Sequence, residues 1–541
     1  MSSVDHDCII IGAGFAGLRA LIEAHRRGLS ARVIEAGTDV GGTWYWNRYP
    51  GARTDSESWV YCYSFDDELL QDWVWEDRFP DQMQVQKYLA HVADRFDLRK
   101  DIDFCTRAEK VTRDDATNSW TVRTDAGVES TCTYLISAVG LLSASYEPPF
   151  PGVESFKGER YLSSHWPKEE IDFAGKRVGV IGTGASAVQL IPLVAQTAGS
   201  LTVFQRTPNF VMPARNCPLD KLQRDAIKND YPAIWEKARG QVFGFPMDTP
   251  GRTVAETEES ERQRILERGW ETGGFRFLFE TFDDIFTDQY ANDVAAEFVR
   301  NKIRAIVRDP ETAERLCPKN HPLGSKRPPL GHYYYETYNR ETVSLVDVSG
   351  NPIESITESG VHLTDGSEYE FDVLIYATGF DAATGALTAI DIRGSDGQSL
   401  AESWRTGART ALSMAVSGFP NMFLIGGPGC PFGNNPPITE FSADWIGDAI
   451  SHMKKSGADV MEATPEAMDE WAHKLQDIID QTVLGQGEAV NTWFLGANIP
   501  GKAHVPLFYM GGVPNFVADL EAAAEQGYPG FTLSSAGAAV S

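Results

Sequence analysis

The sequence predicts an α/β chain built on two strand–glycine loop–helix–strand units, with a helical insertion between their returning segments. Three observations lead to this: a glycine-rich loop after an apolar strand near the N-terminus, a second such loop from Gly182, and later apolar strands that end in small residues and glycine. The first unit is "DCIIIGAGFAGLRALIEAHRRGLSARVIEAG". Its apolar strand, Cys8 to Ile11, enters Gly12-x-Gly14-x-x-Gly17, and an amphipathic helix and a second strand ending at Glu35 follow. The glycines allow a tight turn, close approach of backbone to a pyrophosphate, and packing of helix on strand. The helix N-terminus offers N–H groups and partial positive charge to phosphates. Glu35 stands about 20 residues on, where an acid accepts hydrogen bonds from ribose hydroxyls.

The second unit, "GKRVGVIGTGASAVQLIPLVAQTAGSLTVFQRTPNF", repeats the order: Val178 to Ile181, Gly182-x-Gly184-x-x-Ala187, a helix and a strand. Where the first unit has Glu35, this one has Arg206 followed by Thr207. An acid would repel a 2′-phosphate, whereas Arg pairs with it in bidentate fashion. Two Rossmann-like dinucleotide-binding domains of opposite ribose chemistry point to FAD on the first and NADPH on the second. "YLISAVG" (Tyr134 to Gly140), "FDVLIYATGFD" (Phe371 to Asp381) and "FPNMFLIGGPG" (Phe419 to Gly429) are strand-to-glycine turns suited to return the chain past such cofactors. The expected division gives the FAD domain residues 1–142 and 377–541 and the NADP domain 143–216 and 328–376. Residues 217–327 form the helical insertion, where Ala291, Val294, Ala295, Phe298, Ile303 and Ile306 recur at helical spacing. The run Phe275, Phe277, Phe279, Phe282, Phe286 ahead of them reads first as core packing, with a substrate-route lining as the alternative for some of its members.

A chain of 541 residues exceeds a single core. Its net charge of −28 disfavours nucleic acid and anionic membrane, so any anionic ligand needs a local Arg/Lys cluster. Seven cysteines carry no C-x-x-C and no metal spacing with His, which argues against a disulfide reductase and for a reducing, cytoplasmic setting. No metal site, signal peptide or membrane span is expected. The expected assembly is a monomer or weak homo-oligomer.

Two distant stretches select a chemistry. "GGTWYWNRYPGARTDSES" packs Trp44, Tyr45, Trp46 and Tyr49 between glycine turns and ends in Arg53 and Asp55, suiting a wall over a flavin. In "HPLGSKRPPLGHYYYETYNRETVSLVD", Lys326-Arg327 precede two prolines, which stiffen the segment in an extended form. An Arg so held can stabilise an anionic oxygen, and a paired carboxylate would orient it.

"GGTWYWNRYPGARTD" matches in full the pattern [A/G]-G-x-W-x-x-x-x-[F/Y]-P-[G/M]-x-x-x-D of type I Baeyer–Villiger monooxygenases. "FKGERYLSSHWP" (Phe156 to Pro167) resembles that family's second pattern, F-x-G-x-x-x-H-x-x-x-W-[P/D], and "NTWFLGANIPGK" (Asn491 to Lys502) falls in the family's order. The resemblance spans essentially the whole chain. It implies an enzyme that converts ketones to esters or lactones with dioxygen, FAD and NADPH. Arg327 would stabilise the anionic C4a-peroxyflavin and the adduct after it, and Asp55 would orient Arg327. Lys326, Arg206 and Thr207 would hold the 2′-phosphate, Thr43 and Trp44 would lie at the flavin, and Trp493 would pack near the nicotinamide nucleotide. The principal alternative is a flavin monooxygenase acting mainly on sulfide or amine heteroatoms.

The chain departs from the pattern in places. Leu162 occupies the fingerprint-histidine position, which puts domain coupling in question more than identity. His165 is offset by three residues, an odd step that turns its side chain to the opposite face of an extended segment. It reads as a solvated or locally hydrogen-bonded linker residue. Phe380 stands where tyrosine is common. Cys430, in "GGPGCPFGNNPPITE", reads as a small lining residue, since no basic partner adjoins it.

Overall fold

The computed structural model describes residues 4–485 and 491–535. The two glycine-loop units become the centres of two separate sheets. In the first, His6–Ile11 lies between Ala31–Ile34 and Glu129–Ser137, parallel to both. The full order is Asp391–Arg393, Ala108–Asp114, Ser119–Thr124, Glu129–Ser137, His6–Ile11, Ala31–Ile34, Ile102–Asp103, with Met422–Leu424 also paired to Glu129–Ser137. Cys8, Ile9 and Ile10 are fully buried, as continuous apolar runs are in parallel strands covered on both faces. The helix Phe15–Arg26 covers one face and packs against the long helix Asn435–Ser456. Strands Asp391–Arg393 and Met422–Leu424 therefore bring the chain back to its first sheet after the second is complete.

The second sheet is wholly parallel, in the order Val343–Asp347, Ser200–Gln205, Arg177–Ile181, Val373–Tyr376, Glu159–Leu162. The helix Ala185–Thr197 follows its glycine loop, and the antiparallel strands Ile353–Ile356, Gly360–Leu363 and Glu368–Glu370 pack beside it. Its edge strand lies within Phe156 to Pro167, where only the first part of the extended segment is a strand. Glu159–Leu162 pairs with Val373–Tyr376, Leu162 opposite Tyr376. The segment is short and lacks strand alternation, with Glu159 and Arg160 exposed and Tyr161 and Leu162 half-buried, so its state is set by the fully buried apolar strand it docks on.

Between the sheets the chain is helical, as the periodicity predicts: Lys221–Gly240, Glu259–Thr272, Arg276–Phe279, Gln289–Ile306 and Pro310–Leu316. Asp220, Asp288 and Asp309 cap three of these through their side chains. In Gln289–Ile306, Ala291, Ala295, Phe298 and Ile303 form the buried stripe, with Val294 and Ile306 partly buried beside it. Among the described residues no helix is long and apolar enough to cross a membrane, and no group of His, Cys, Asp and Glu is arranged to hold a metal ion.

Candidate active site

Both glycine loops open onto one cavity of about 1450 Å³, above the size usual for a single drug-sized ligand. Gly12 and Gly14 line it from one side, Gly182 and Gly184 from the other. Each following helix starts at a glycine with no side-chain cap, so its first amides are left for a ligand. The glycines divide their labour by position. A Cβ on Gly17 would sit 1.8 Å from the Gly12 carbonyl oxygen, so this residue serves helix-on-strand packing. Ala187, its counterpart, is likewise fully buried. A Cβ on Gly184 would meet no protein atom within 4 Å, because that side faces open space at the loop. These features fit a pyrophosphate at each loop.

Glu35 is buried at 4% exposure and lines the cavity. Its carboxylate accepts from the amides of Ala13 at 2.7 Å and Gly37 at 2.6 Å. Two amides leave part of the carboxylate's acceptor capacity for ribose hydroxyls. Burial pushes its pKa above the usual range, against the pull of those two amides.

Across the cavity, Arg206, Thr207 and Lys326 lie on the wall beside Gly184. Arg206 is exposed and, among the described residues, pairs with no carboxylate. Lys326 is only partly exposed; its ammonium donates to the Asn491 carbonyl. Burial, with the neighbouring Arg206 charge, lowers its pKa to about 8. Two adjacent, uncompensated cations in a strongly acidic protein are costly unless a doubly charged anion sits between them. The pair fits a 2′-phosphate.

The structure joins the two distant stretches of the sequence. Arg327 donates to Asp55 Oδ2 at 2.6 Å across 272 residues of chain. Asp55 is 7% exposed, its Oδ1 has no hydrogen-bond partner, and both residues line the cavity. Burial pushes the Asp55 carboxyl above the ordinary aspartate range, while the Arg327 charge pulls it back. The Asn209 amide holds the Arg327 carbonyl at 3.0 Å, and its buried Oδ1 has no partner. The Asp55 loop is further tied to the NADP-type unit. Tyr49 donates to Gln189 Oε1 at 2.8 Å, and Gln189 donates to the Arg53 carbonyl at 3.0 Å. Asn209 and Gln189 carry no sequence pattern that sets them apart, because their roles come from where the chain returns.

Thr43 opens the short helix Thr43–Trp46 on the cavity wall, and Trp44 is buried against Tyr61, donating to its hydroxyl at 3.2 Å. The phenylalanine run, read as core, splits in two. Phe277 and Phe282 are buried in the core, whereas Phe275, Phe279 and Phe286 border the cavity with Phe243 and Phe245. Spacing of four on one short helix turns Phe275 and Phe279 to a common side, away from Phe277. Trp493 lies on the same wall, 4.9 Å from Phe508 and 6.1 Å from Phe432 between ring centroids. Its segment is fastened to "ATGFD" by Asn498, which donates to the Phe380 carbonyl at 2.9 Å, and by the Lys502–Asp381 ion pair. Cys430 is a buried lining residue whose thiol is pushed up to about 12 by burial, so it stays protonated.

His165 hydrogen-bonds Ser145 through Nδ1 at 3.0 Å and lies 5.4 Å from the Trp46 ring. It is exposed and borders the cavity. Ser163–His165 is a 3₁₀ turn without strand alternation, so the three-residue offset from Leu162 does not turn His165 to an opposite strand face. Leu162 packs among the apolar residues of the second sheet, with Tyr376 opposite.

Comparison with known proteins agrees with this geometry. The model of the FMO-like, flavin-binding monooxygenase-like family matches residues 6–218. A Baeyer–Villiger monooxygenase of Pseudooceanicola batsensis is 42% identical over 97% of this chain and 95% of its own length. This chain belongs to the Baeyer–Villiger monooxygenase family. A cyclohexanone monooxygenase from Rhodococcus sp. Phi1, solved with NADP+ bound, superposes with a TM-score of 0.95 at 42% identity, covering 98% of this chain and 99% of that one. A phenazine N-monooxygenase of Lysobacter antibioticus is 41% identical over 98% of this chain and 97% of its own length. Members of this similarity group thus carry names for both carbon–carbon and nitrogen oxygenation.

Proposed function

We propose that the chain is an FAD- and NADPH-dependent Baeyer–Villiger monooxygenase that converts ketones to esters or lactones with dioxygen. The observation that carries the reading is the pairing of buried Asp55 with half-buried Arg327 on the wall of a cavity shared by two dinucleotide loops. The two sheets support a division into an FAD domain (1–142 and 377–541) and an NADP domain (143–216 and 328–376), with 217–327 as the helical insertion.

When bound, FAD and NADPH would supply the redox and oxygen chemistry that no side chain of this protein can provide. The protein's own residues bind, orient and exclude water. Gly12, Gly14, Gly17 and Glu35 hold FAD at pyrophosphate and ribose, with Thr43 and Trp44 beside it. Gly182, Gly184 and Ala187 form the NADP loop, and Arg206, Thr207 and Lys326 hold the 2′-phosphate. Arg327 carries the positive charge that stabilises negative oxygen during the reaction, and Asp55 fixes its guanidinium in place. Trp493 and its segment close over the nicotinamide nucleotide and keep water out. Phe243, Phe279, Phe286 and Phe432 offer an apolar wall for the ketone.

Free thiols at all seven cysteines support a reducing, cytoplasmic setting. Large exposed apolar side chains such as Leu222 and Tyr333 are scattered along the chain, which supports a monomer or weak homo-oligomer. Heteroatom oxygenation is the second reading, favoured by the phenazine N-monooxygenase relative. The test is anaerobic mixing with NADPH or NADH, then air and a panel of ketones, sulfides and amines. The reading requires faster bleaching of the flavin by NADPH and an ester as main product. An N-oxide or sulfoxide as the sole product would replace it with the second reading.

A further inference from the structure

Glu57 lies two residues past Asp55, with a side chain 2% exposed, and it does not line the cavity. Its partners show what a buried charge does there. Arg78 donates to Glu57 Oε1 from Nε at 3.0 Å and from a terminal nitrogen at 2.8 Å. The other terminal nitrogen of Arg78 reaches the Thr272 carbonyl, at the end of the helix Glu259–Thr272, at 2.9 Å. Arg276 approaches both Glu57 oxygens at 3.4 Å and donates to Glu280 Oε1 at 2.5 Å. The Glu280 carboxylate also accepts the Asp248 amide at 3.0 Å.

This cluster joins two functional surfaces. On one side is the Asp55 loop, whose Thr54 and Ser58 amides donate to the carbonyls of Pro80 and Arg78. On the other is the short helix Arg276–Phe279. Phe275 and Phe279, which flank Arg276, border the cavity, and Phe279 stacks on Phe243 with centroids 4.3 Å apart and planes at 19°. Phe245 contacts both Phe275 and Phe279. Buried ion clusters are poor sources of stability, since apolar replacements of like volume often serve as well or better. Directed charge-assisted hydrogen bonds do set a fixed geometry. We propose that Glu57 and Arg276 are positioning residues, which set the phenylalanine wall that holds the ketone relative to Arg327. The proposal rests on the oxygenase reading of the site.

The test uses the full-length holoprotein with Arg276→Met, Arg276→Lys and Glu280→Gln. Four readouts apply: equilibrium ketone binding by tryptophan quenching, KM and kcat for ketone, peroxide released per NADPH, and the urea unfolding midpoint. Arg276→Met should raise ketone KM by about tenfold and send most NADPH to peroxide, since misplacement of about 1 Å can cost up to about 100-fold. Anaerobic reduction by NADPH should stay near the wild-type rate, and Arg276→Lys should recover most of the ketone affinity. Glu280→Gln, which leaves the Glu57–Arg78 pair intact, should shift KM the same way by a smaller factor. A lowered urea midpoint with ketone binding, KM and peroxide ratio unchanged would overturn the proposal and leave the cluster a structural clasp. If the wild type oxygenates a sulfide or amine and no ketone, the ketone reading fails. The same four readouts on that substrate then still decide the role of Arg276.

Discussion

Replacing Arg327 with alanine would strand Asp55. The carboxylate is 7% exposed, its Oδ2 loses the 2.6 Å donor, and its Oδ1 already lacks one. Breaking such a pair costs about 3–5 kcal/mol where the remaining charge is left unpaired, and the Leu330 amide and the Arg53 charge, which still favour the carboxylate, put Asp55 at the low end. The alternative is to take up a proton, which at pH 7 costs about 1.4 kcal/mol for each of about 3 units above the ordinary aspartate pKa, or about 4 kcal/mol. Protonation therefore caps the charge penalty at about 4 kcal/mol at pH 7 and about 1.5 kcal/mol at pH 5. Burial already raises the Asp55 pKa with Arg327 present, and removing that charge raises it further. The folded variant then binds a proton that the unfolded chain releases, so its stability deficit narrows as pH falls from 7 to 5. Urea unfolding at both pH values measures this, and Arg327→Ala/Asp55→Asn should recover stability at pH 7 with little pH dependence. Neither variant should form ester, while both should still be reduced by NADPH. Ester formation by Arg327→Ala, or a pH-independent deficit, would refute the reasoning.

Arg206→Ala should raise KM for NADPH by about 10- to 100-fold and leave NADH nearly unchanged, given about 1.5–3 kcal/mol for a charged hydrogen bond; an equal effect on both would remove the 2′-phosphate assignment. The Lys326 pKa of about 8 means that the group loses its charge as pH rises past that value. NADPH affinity should fall from pH 7 to 9, with proton uptake on binding, and Lys326→Arg should flatten the profile. Gly17→Ala places a Cβ 1.8 Å from the Gly12 oxygen, and the purified protein should lose most of its flavin; full FAD content by absorbance would contradict the packing argument.

Much of the fold is legible because the two glycine units are local. Strand, loop and helix lie within one continuous segment, and each glycine answers to a backbone need visible in its spacing. Glu35 and Arg206 are legible for the same reason, by their register at the end of the second strand. The Asp55–Arg327 contact spans 272 residues and depends on how the chain returns between sheets. The residues on either side suggest the pair, but only the fold brings it together. Glu159–Leu162 escapes sequence reading because a four-residue strand without alternation takes its state from its neighbour. Which phenylalanines of the 275–286 run line the cavity is not legible, because a cavity wall and a core present the same composition and differ only in which side has protein behind it. Glu57 and Arg276 lie 219 residues apart and meet only where the insertion packs onto the Asp55 loop.

The most direct measurement is the product formed under ¹⁸O₂ from a simple apolar ketone, with NADPH consumed and peroxide released followed together. The account predicts an ester or lactone carrying one labelled oxygen for each NADPH, with peroxide suppressed as ketone is added. Peroxide equal to NADPH at every ketone concentration, or label found only in an N-oxide or sulfoxide of an added amine or sulfide, would contradict it.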